Sequence, residues 1–307
     1  MATLQQPRPV DLATQGLARL GLDRQAAVLI VGLGNTGFSV ARFLARHGIR
    51  FAVTDTRADP PFADQLRESL PDAAVFLGAF QPAAFEAATH LIVSPGVPLA
   101  SPLIQAAIRR GVPVLGDVDL FACMAQAPVL AVTGSNGKST VTTLLGLMAQ
   151  ADGRETRVGG NLGTPMLDLL DAAADLYVLE LSSFQLESSR ILEPLAATVL
   201  NLSPDHMDRY PDLAAYAKAK QHIFHGNGVQ VLNRDDACVA AMAAPERTSV
   251  WFSLESPTAD YRLGQVGDEE WLLAQGQALM PTRAVRLQGR HNLANALAAL
   301  ALGDAAG

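Results

Sequence analysis

Residues Pro128 to Thr140 read Pro-Val-Leu-Ala-Val-Thr-Gly-Ser-Asn-Gly-Lys-Ser-Thr. The apolar run from Pro128 to Gly134 has the composition of a strand buried on both faces. It passes into a glycine-bearing loop, and the loop into a stretch with helical spacing. A strand, glycine loop and helix in that order can cradle phosphates, because the amides from Gly134 to Thr140 surround an anion at a helix N-terminus. Lys138 can reach the β- and γ-phosphates, and the hydroxyl of Ser139 or Thr140 can meet a magnesium ion. Gly134, Ser135, Asn136, Gly137, Lys138, Ser139 and Thr140 are therefore candidate nucleotide contacts. The spacing departs from the common phosphate-loop pattern, since Val132 stands where that pattern has its first glycine. ATP is the natural ligand, and hydrolysis or phosphoryl transfer the natural chemistry.

Downstream, Asp175–Leu181, Ala196–Leu202 and Val229–Asn233 continue the strand series. Glu180 falls at a strand end, where a carboxylate beside a phosphate loop can bind Mg²⁺; a solvated strand-end glutamate is the plainer alternative. His206, flanked by Asp205 and Asp208, is a candidate metal ligand or substrate contact, although a lone histidine is more often structural. Lys220, on a helix beginning near Leu213, reads by itself as one lysine on a solvated face. Asn161, after Gly160, reads by itself as turn chemistry. Beyond Trp251 the strands shorten and alternate as in a small antiparallel patch, and Asn292 to Ala306 closes as an Ala/Leu-rich helix.

Upstream, Ala27–Val31, Phe51–Asp55, Ala74–Leu77, His90–Ser94 and Val112–Gly116 read as buried parallel strands, with helical spacing over Phe38–His47 and Pro102–Arg110. The first of these strands runs into Gly32-Leu33-Gly34-Asn35-Thr36-Gly37, and Asp55 ends the next. That is the dinucleotide fingerprint, although no nicotinamide pocket or catalytic partner accompanies it, so the loop indicates a nucleotide diphosphate. Two strand series, each opening on a glycine loop, predict two α/β domains: a Rossmann-like parallel-sheet domain over 1–117 and a phosphate-loop NTPase-type domain over 118–307.

The 307 residues carry 30 acidic and 23 basic side chains, a formal net charge of −7. There is no basic block, which argues against nucleic-acid binding. Hydrophobic residues make up 49%, yet Gly, Pro or charge interrupts each apolar stretch, so membrane insertion is not expected. The opening MATLQQPRPV lacks the apolar core of a secretory signal, and the two cysteines, Cys123 and Cys238, suggest no disulfide framework; a cytoplasmic, monomeric protein is expected.

The strings TGSNGKSTVTTL, GGNLGTP, YVLELSSFQLE, LNLSPDHMDRYP and LQGRHNLANALAAL, with GLGNTG, VTDTR and SPGVP before them, resemble the Mur ligase family in content and order. The resemblance spans essentially the whole chain and points to the branch that adds glutamate to UDP-N-acetylmuramoyl-L-alanine during peptidoglycan synthesis. It implies that ATP phosphorylates the alanyl carboxylate and that the amine of D-glutamate attacks the acyl phosphate. It also implies a role for each matching position. Lys138 would hold phosphates. Ser139 and Glu180 would bind one magnesium, and His206 and Lys220, as a CO2-derived carbamate, a second. Asn161 would touch the substrate near its reacting end, and Asn295 the adenine. Asn35, Thr36, Asp55, Thr56, Arg57 and Ser94 would bind the uridine diphosphate. The family has a third, C-terminal domain that supplies the glutamate pocket, and this chain stops before it; a truncated form that binds the UDP-sugar but forms little amide is expected. The remaining alternatives are another Mur-type or folylpolyglutamate-type ligase, a nicotinamide-dependent oxidoreductase using the first glycine loop, and a binding-only module.

Overall fold

The computed structural model describes residues 15–307; the leader-free reading of the first ten residues lies outside them. Two compact units emerge. The first comprises the described residues up to Ala125 together with Pro165–Leu170, the second Gln126–Thr164 with Asp171–Gly307.

In the first unit, β1 (Val28–Val31), α1 (Asn35–Arg46), β2 (Phe51–Asp55), α2 (Ala63–Ser69), β3 (Ala74–Leu77), α3 (Pro82–Ala87), β4 (His90–Val93), α4 (Pro102–Arg109), β5 (Val114–Leu115) and α5 (Asp117–Met124) alternate as the apolar pattern predicts. The strands form a parallel sheet in the order β3-β2-β1-β4-β5. β1 and β4, fully buried, supply Leu29, Val31, Leu91 and Val93 to a core that Phe85, Ile104 and Ala107 close from the helices. Strands covered on both faces need no polar alternation, which is why VLIV and HLIV read as continuous apolar runs. Pro82 and Pro102 sit in the first turns of α3 and α4, where a missing amide costs nothing. The junction expected near residue 117 falls at the start of α5, which groups with this unit. So does a 3₁₀ turn over Met166–Leu169, whose Met166 and Leu167 are buried and whose Asp168 accepts from Arg42 of α1 at 2.5 Å.

The second unit contains β6 (Val129–Thr133), α6 (Lys138–Ala151), β7 (Thr156–Gly160), β8 (Leu176–Glu180), α7 (Ser183–Ser188), β9 (Ala196–Val199), α8 (Leu213–Gln221), β10 (Val229–Asn233), α9 (Ala237–Ala240), β11 (Ser249–Ser253), β12 (Tyr261–Val266), β13 (Glu269–Ala274), β14 (Gln277–Pro281) and α10 (Arg290–Ala306). Among the described residues they build a nine-stranded sheet, β14-β13-β12-β11-β10-β9-β6-β8-β7. Pairing is parallel from β7 across to β12 and antiparallel in the β12-β13-β14 meander. The antiparallel patch therefore starts at Tyr261 rather than at Trp251, since β11 lies parallel to β10. Leu130 and Val132 of β6, Val141 and Leu145 of α6, and Leu297 and Leu302 of α10 share one buried cluster. β6 lies between β8 and β9, so its C-terminal end opens where the crossovers diverge, the position at which α/β sheets bind ligands.

Candidate active site

β6 delivers the chain into the second glycine loop, and α6 begins at Lys138. Gly137, the residue before it, has φ +85°, and a Cβ there would sit 2.4 Å from Asn295 Oδ1. Only glycine meets both demands. The Lys138 ammonium folds back and donates to the carbonyls of Gly134 (3.1 Å) and Ser135 (3.0 Å), two acceptors that a phosphate would replace.

Glu180 ends β8 in register with Val132 and is 2% exposed. Its two oxygens accept from Ser139 Oγ at 2.8 Å and Asn161 Nδ2 at 2.7 Å. Both donors are neutral, and a buried carboxylate without a cation is costly. A hard divalent cation, held jointly by Glu180 and the Ser139 hydroxyl, matches this donor set. Asn161 reaches Glu180 because β7 lies beside β8, and its amide also donates to the Glu180 carbonyl at 2.8 Å.

Lys220 projects from α8 to the same loop and is 1% exposed. Its Nζ donates to Gly134 O at 2.9 Å and Thr133 Oγ1 at 3.2 Å and lies 4.7 Å from the Tyr216 ring centre. Burial, reinforced by the positive charge of Lys138, lowers its pKa from 10.5 to about 7, against the opposite pull of Asp205 and Glu180. The reading of Lys220 as a solvated surface lysine is thereby corrected: α8 turns that position inward. A buried amine that is half neutral near pH 7 is competent to add CO2.

His206 takes a different place. It has φ +55°, is about half exposed, lies 3.6 Å from Asp205 Oδ2 and packs on Phe184. The Tyr216 ring neighbours both His206, at 6.4 Å between ring centres, and Lys220. Among the described residues no three His, Cys, Asp or Glu side chains converge. Asn295 donates to Asn292 Oδ1 at 3.1 Å and, with Asn136, Gly137, Thr140 and Asn201, lines a cavity of about 570 Å³ beside the loop. Wholly uncharged amides there suit a neutral base.

In the first unit, Gly32 and Ser94 end the adjacent strands β1 and β4, the point at which the strand order reverses, and Ser94 Oγ donates to Gly32 O at 2.8 Å. A Cβ at Gly37 would stand 2.0 Å from that carbonyl, so helix and loop touch backbone to backbone. Asp55 is spent inside the loop: Oδ2 accepts from the Leu33 amide (2.7 Å) and Arg57 Nη2 (2.7 Å), and Oδ1 from Arg57 N and Nε (2.9 Å each). Burial works against the carboxylate, but these hydrogen bonds outweigh it and hold its pKa below the ordinary value. A dinucleotide enzyme keeps this carboxylate for the ribose hydroxyls. Asn35, Thr56 and Arg57 are exposed around the loop, and Thr36 is half-buried.

A family model described as the Mur ligase middle domain matches residues 132–303, and one described as the Mur ligase MurD-like N-terminal domain matches 26–116. The chain belongs to the Mur ligase family. Within that family, a UDP-N-acetylmuramoylalanine–D-glutamate ligase of Methylococcus capsulatus is 59% identical, the match covering 96% of this chain and 64% of the relative. One of Nitrosococcus oceani is 54% identical over 92% of this chain and 63% of the relative. The chain thus spans a little under two thirds of the length of these relatives. Among solved structures, a UDP-N-acetylmuramate:L-alanyl-gamma-D-glutamyl-meso-diaminopimelate ligase of Neisseria meningitides shares the fold with a TM-score of 0.62 and 19% identity, covering 92% of this chain and 94% of its own. The stretch that contains Gly32–Gly37 thus matches a Mur ligase N-terminal domain.

The Mur ligase motifs carry most of the site, but three contributors went unassigned in the sequence. The sequence alone assigns no role to Thr133, Tyr216 or Asn201. A strand-end threonine, or an asparagine just past a strand, carries no distinguishing local pattern. Their importance comes from what folds against them.

Proposed function

We propose that this chain forms the nucleotide- and UDP-sugar-binding part of an ATP-dependent ligase that joins D-glutamate to UDP-N-acetylmuramoyl-L-alanine in cytoplasmic peptidoglycan precursor synthesis. The observation that carries the reading is the buried Glu180 carboxylate tied to the Ser139 hydroxyl beside Lys138. The name borne by relatives 50–59% identical supplies the substrates.

A carboxylate is a poor acyl donor until one oxygen becomes a leaving group, and its approach to a γ-phosphate sets two anions against each other. Lys138, released from the Gly134 and Ser135 carbonyls, neutralises the phosphates as the carboxylate oxygen attacks the γ-phosphorus and ADP departs. Ser139 and Glu180 would hold one magnesium ion, and His206 with a carbamylated Lys220 would hold the second that the family resemblance implies; when bound, such ions would supply further positive charge to the transferring group. Asn161 holds the substrate's reacting end beside Glu180, and Asn295 the adenine. The glutamate amine then attacks the acyl phosphate, and the tetrahedral adduct expels phosphate to leave the amide. Asn35, Thr36, Asp55, Thr56, Arg57 and Ser94 form the uridine diphosphate site, with Asp55 shaping the loop from inside. No helix among the described residues is long and apolar enough to cross a membrane; that the ligase works in the cytoplasm, as a monomer, is part of the proposal.

Calorimetric titration of the 307-residue chain tests this reading. UDP-N-acetylmuramoyl-L-alanine is expected to bind at one site and NADH not at all. NADH binding that the UDP-sugar displaces would overturn it.

A further inference from the structure

The phosphate loop is gripped from the side by a residue outside it. Asn201, two residues past β9, presents its carboxamide edge-on to the backbone of Asn136: Oδ1 accepts from Asn136 N–H at 2.9 Å and Nδ2 donates to Asn136 O at 3.0 Å. The Asn201 carbonyl accepts from Ser135 N–H at 3.0 Å. Two residues on, the contact is returned, as Ser135 Oγ donates to Ser203 O (3.1 Å) and accepts from Ser203 N–H (3.0 Å). The far side of this stretch is fixed too. Asn233 Nδ2 donates to Leu200 O (2.8 Å), and Asp236 Oδ2 accepts from Leu202 N–H (2.7 Å). Residues 200–203 are therefore a rigid rail, anchored on β10 and α9, with the phosphate loop buttoned to it at Ser135 and Asn136.

We propose that Asn201 is the positioning residue of the phosphate loop. Its carboxamide fixes Asn136 by occupying the backbone N–H and C=O of that residue, one from each of its two flanking peptides, so the next turn, at Gly137, aims the amides of Lys138, Ser139 and Thr140 inward. An asparagine is required because only a carboxamide offers one acceptor and one donor side by side. An aspartate would keep the bond to the Asn136 amide but turn an oxygen against the Asn136 carbonyl. The bonds lie at an exposed rim, where water can replace them at a small cost to stability. Their consequence is geometric: a phosphate cradle works only when its donors converge.

The proposal rests on the ATP-ligase reading, and the test separates the two. Wild type, Asn201→Ala and Asn201→Asp chains are titrated with Mg·ATP, with inorganic tripolyphosphate and with UDP-N-acetylmuramoyl-L-alanine, and their melting temperatures compared. Asn201→Ala is expected to bind Mg·ATP and tripolyphosphate each at least about tenfold more weakly, with UDP-sugar affinity within about twofold and melting within a few degrees. Asn201→Asp, which adds a negative charge beside the loop, is expected to lose at least as much. Mg·ATP affinity within about twofold of wild type in the alanine variant overturns the proposal, as does a loss of Mg·ATP affinity with tripolyphosphate affinity unchanged, which assigns Asn201 to the base rather than the phosphates, or an equal loss of UDP-sugar affinity, which marks general damage. A wild-type chain that binds no Mg·ATP refutes the ATP-ligase reading itself.

Discussion

Lys138→Ala is expected to abolish nucleotide-dependent chemistry, by about a hundredfold or more, while UDP-sugar binding stays within about twofold of wild type. The side chain is the loop's only lysine, and in the ligand-free arrangement it satisfies itself on the Gly134 and Ser135 carbonyls. Removing it takes away the charge that faces the phosphates and strips the Ser135 carbonyl of this donor, while the Gly134 carbonyl keeps the Lys220 ammonium. The uridine contacts lie in the other unit, in a loop braced by Asp55 and Ser94. Phosphate release measured with the rest of the Methylococcus relative joined to the chain, together with calorimetry of the UDP-sugar, checks both halves. Loss of UDP-sugar affinity in a folded variant would contradict this division of labour.

Lys220→Ala is expected to be nearly inactive in the same extended chain, and short carboxylic acids are expected to restore part of the activity. An ammonium has no lone pair for Mg²⁺. A carbamate, formed when the neutral amine takes up CO2 and releases a proton, presents two anionic oxygens of the kind Mg²⁺ prefers. Burial and Lys138 supply the neutral amine by lowering the pKa to about 7, where an ordinary lysine remains charged. Because the neutral fraction grows as pH rises through 7, carbamylation in the wild type strengthens over that range and weakens below it. The cavity left by the deleted side chain is enclosed by Thr133, Gly134 and Tyr216, room for a small carboxylate to stand where the carbamate stood. Full activity of the unsupplemented variant would contradict the assignment.

The strands and the two glycine loops were legible because they depend on local pattern. Phe51–Asp55 and Val229–Asn233 coincide with the predicted runs, since the apolar residues that dominate a buried parallel strand outweigh an occasional Thr54 or Gln230. Glu180 and Asn161 were legible as candidates through motif order, but not as partners, since their contact arises from β7 lying beside β8, a parallel pairing of consecutive strands that no hairpin signal announces. Lys220 shows the limit most sharply. Helical spacing on α8 alone gives no sign of burial, because the surrounding Ala, Lys and Gln produce a weak apolar stripe. Its inward face is defined by Thr133 and Gly134, some 86 positions earlier. Asp55 misled in the opposite direction: its position after β2 matches the dinucleotide fingerprint, yet the carboxylate is turned onto Leu33 and Arg57. The boundary of the antiparallel patch shifted for a similar reason, as β11 pairs with β10 by a long-range parallel contact that no hairpin signal announces.

The central claim is that Lys138, Glu180 and their neighbours serve transfer of a phosphoryl group to the alanyl carboxylate before any amide bond forms. Oxygen-18 in that carboxylate reports the step directly. With UDP-N-acetylmuramoyl-L-alanine labelled at both carboxylate oxygens, ATP and D-glutamate, the chain joined to the rest of its Methylococcus relative is predicted to release inorganic phosphate carrying one labelled oxygen for each amide formed. Phosphate released without label while the amide accumulates would contradict the account.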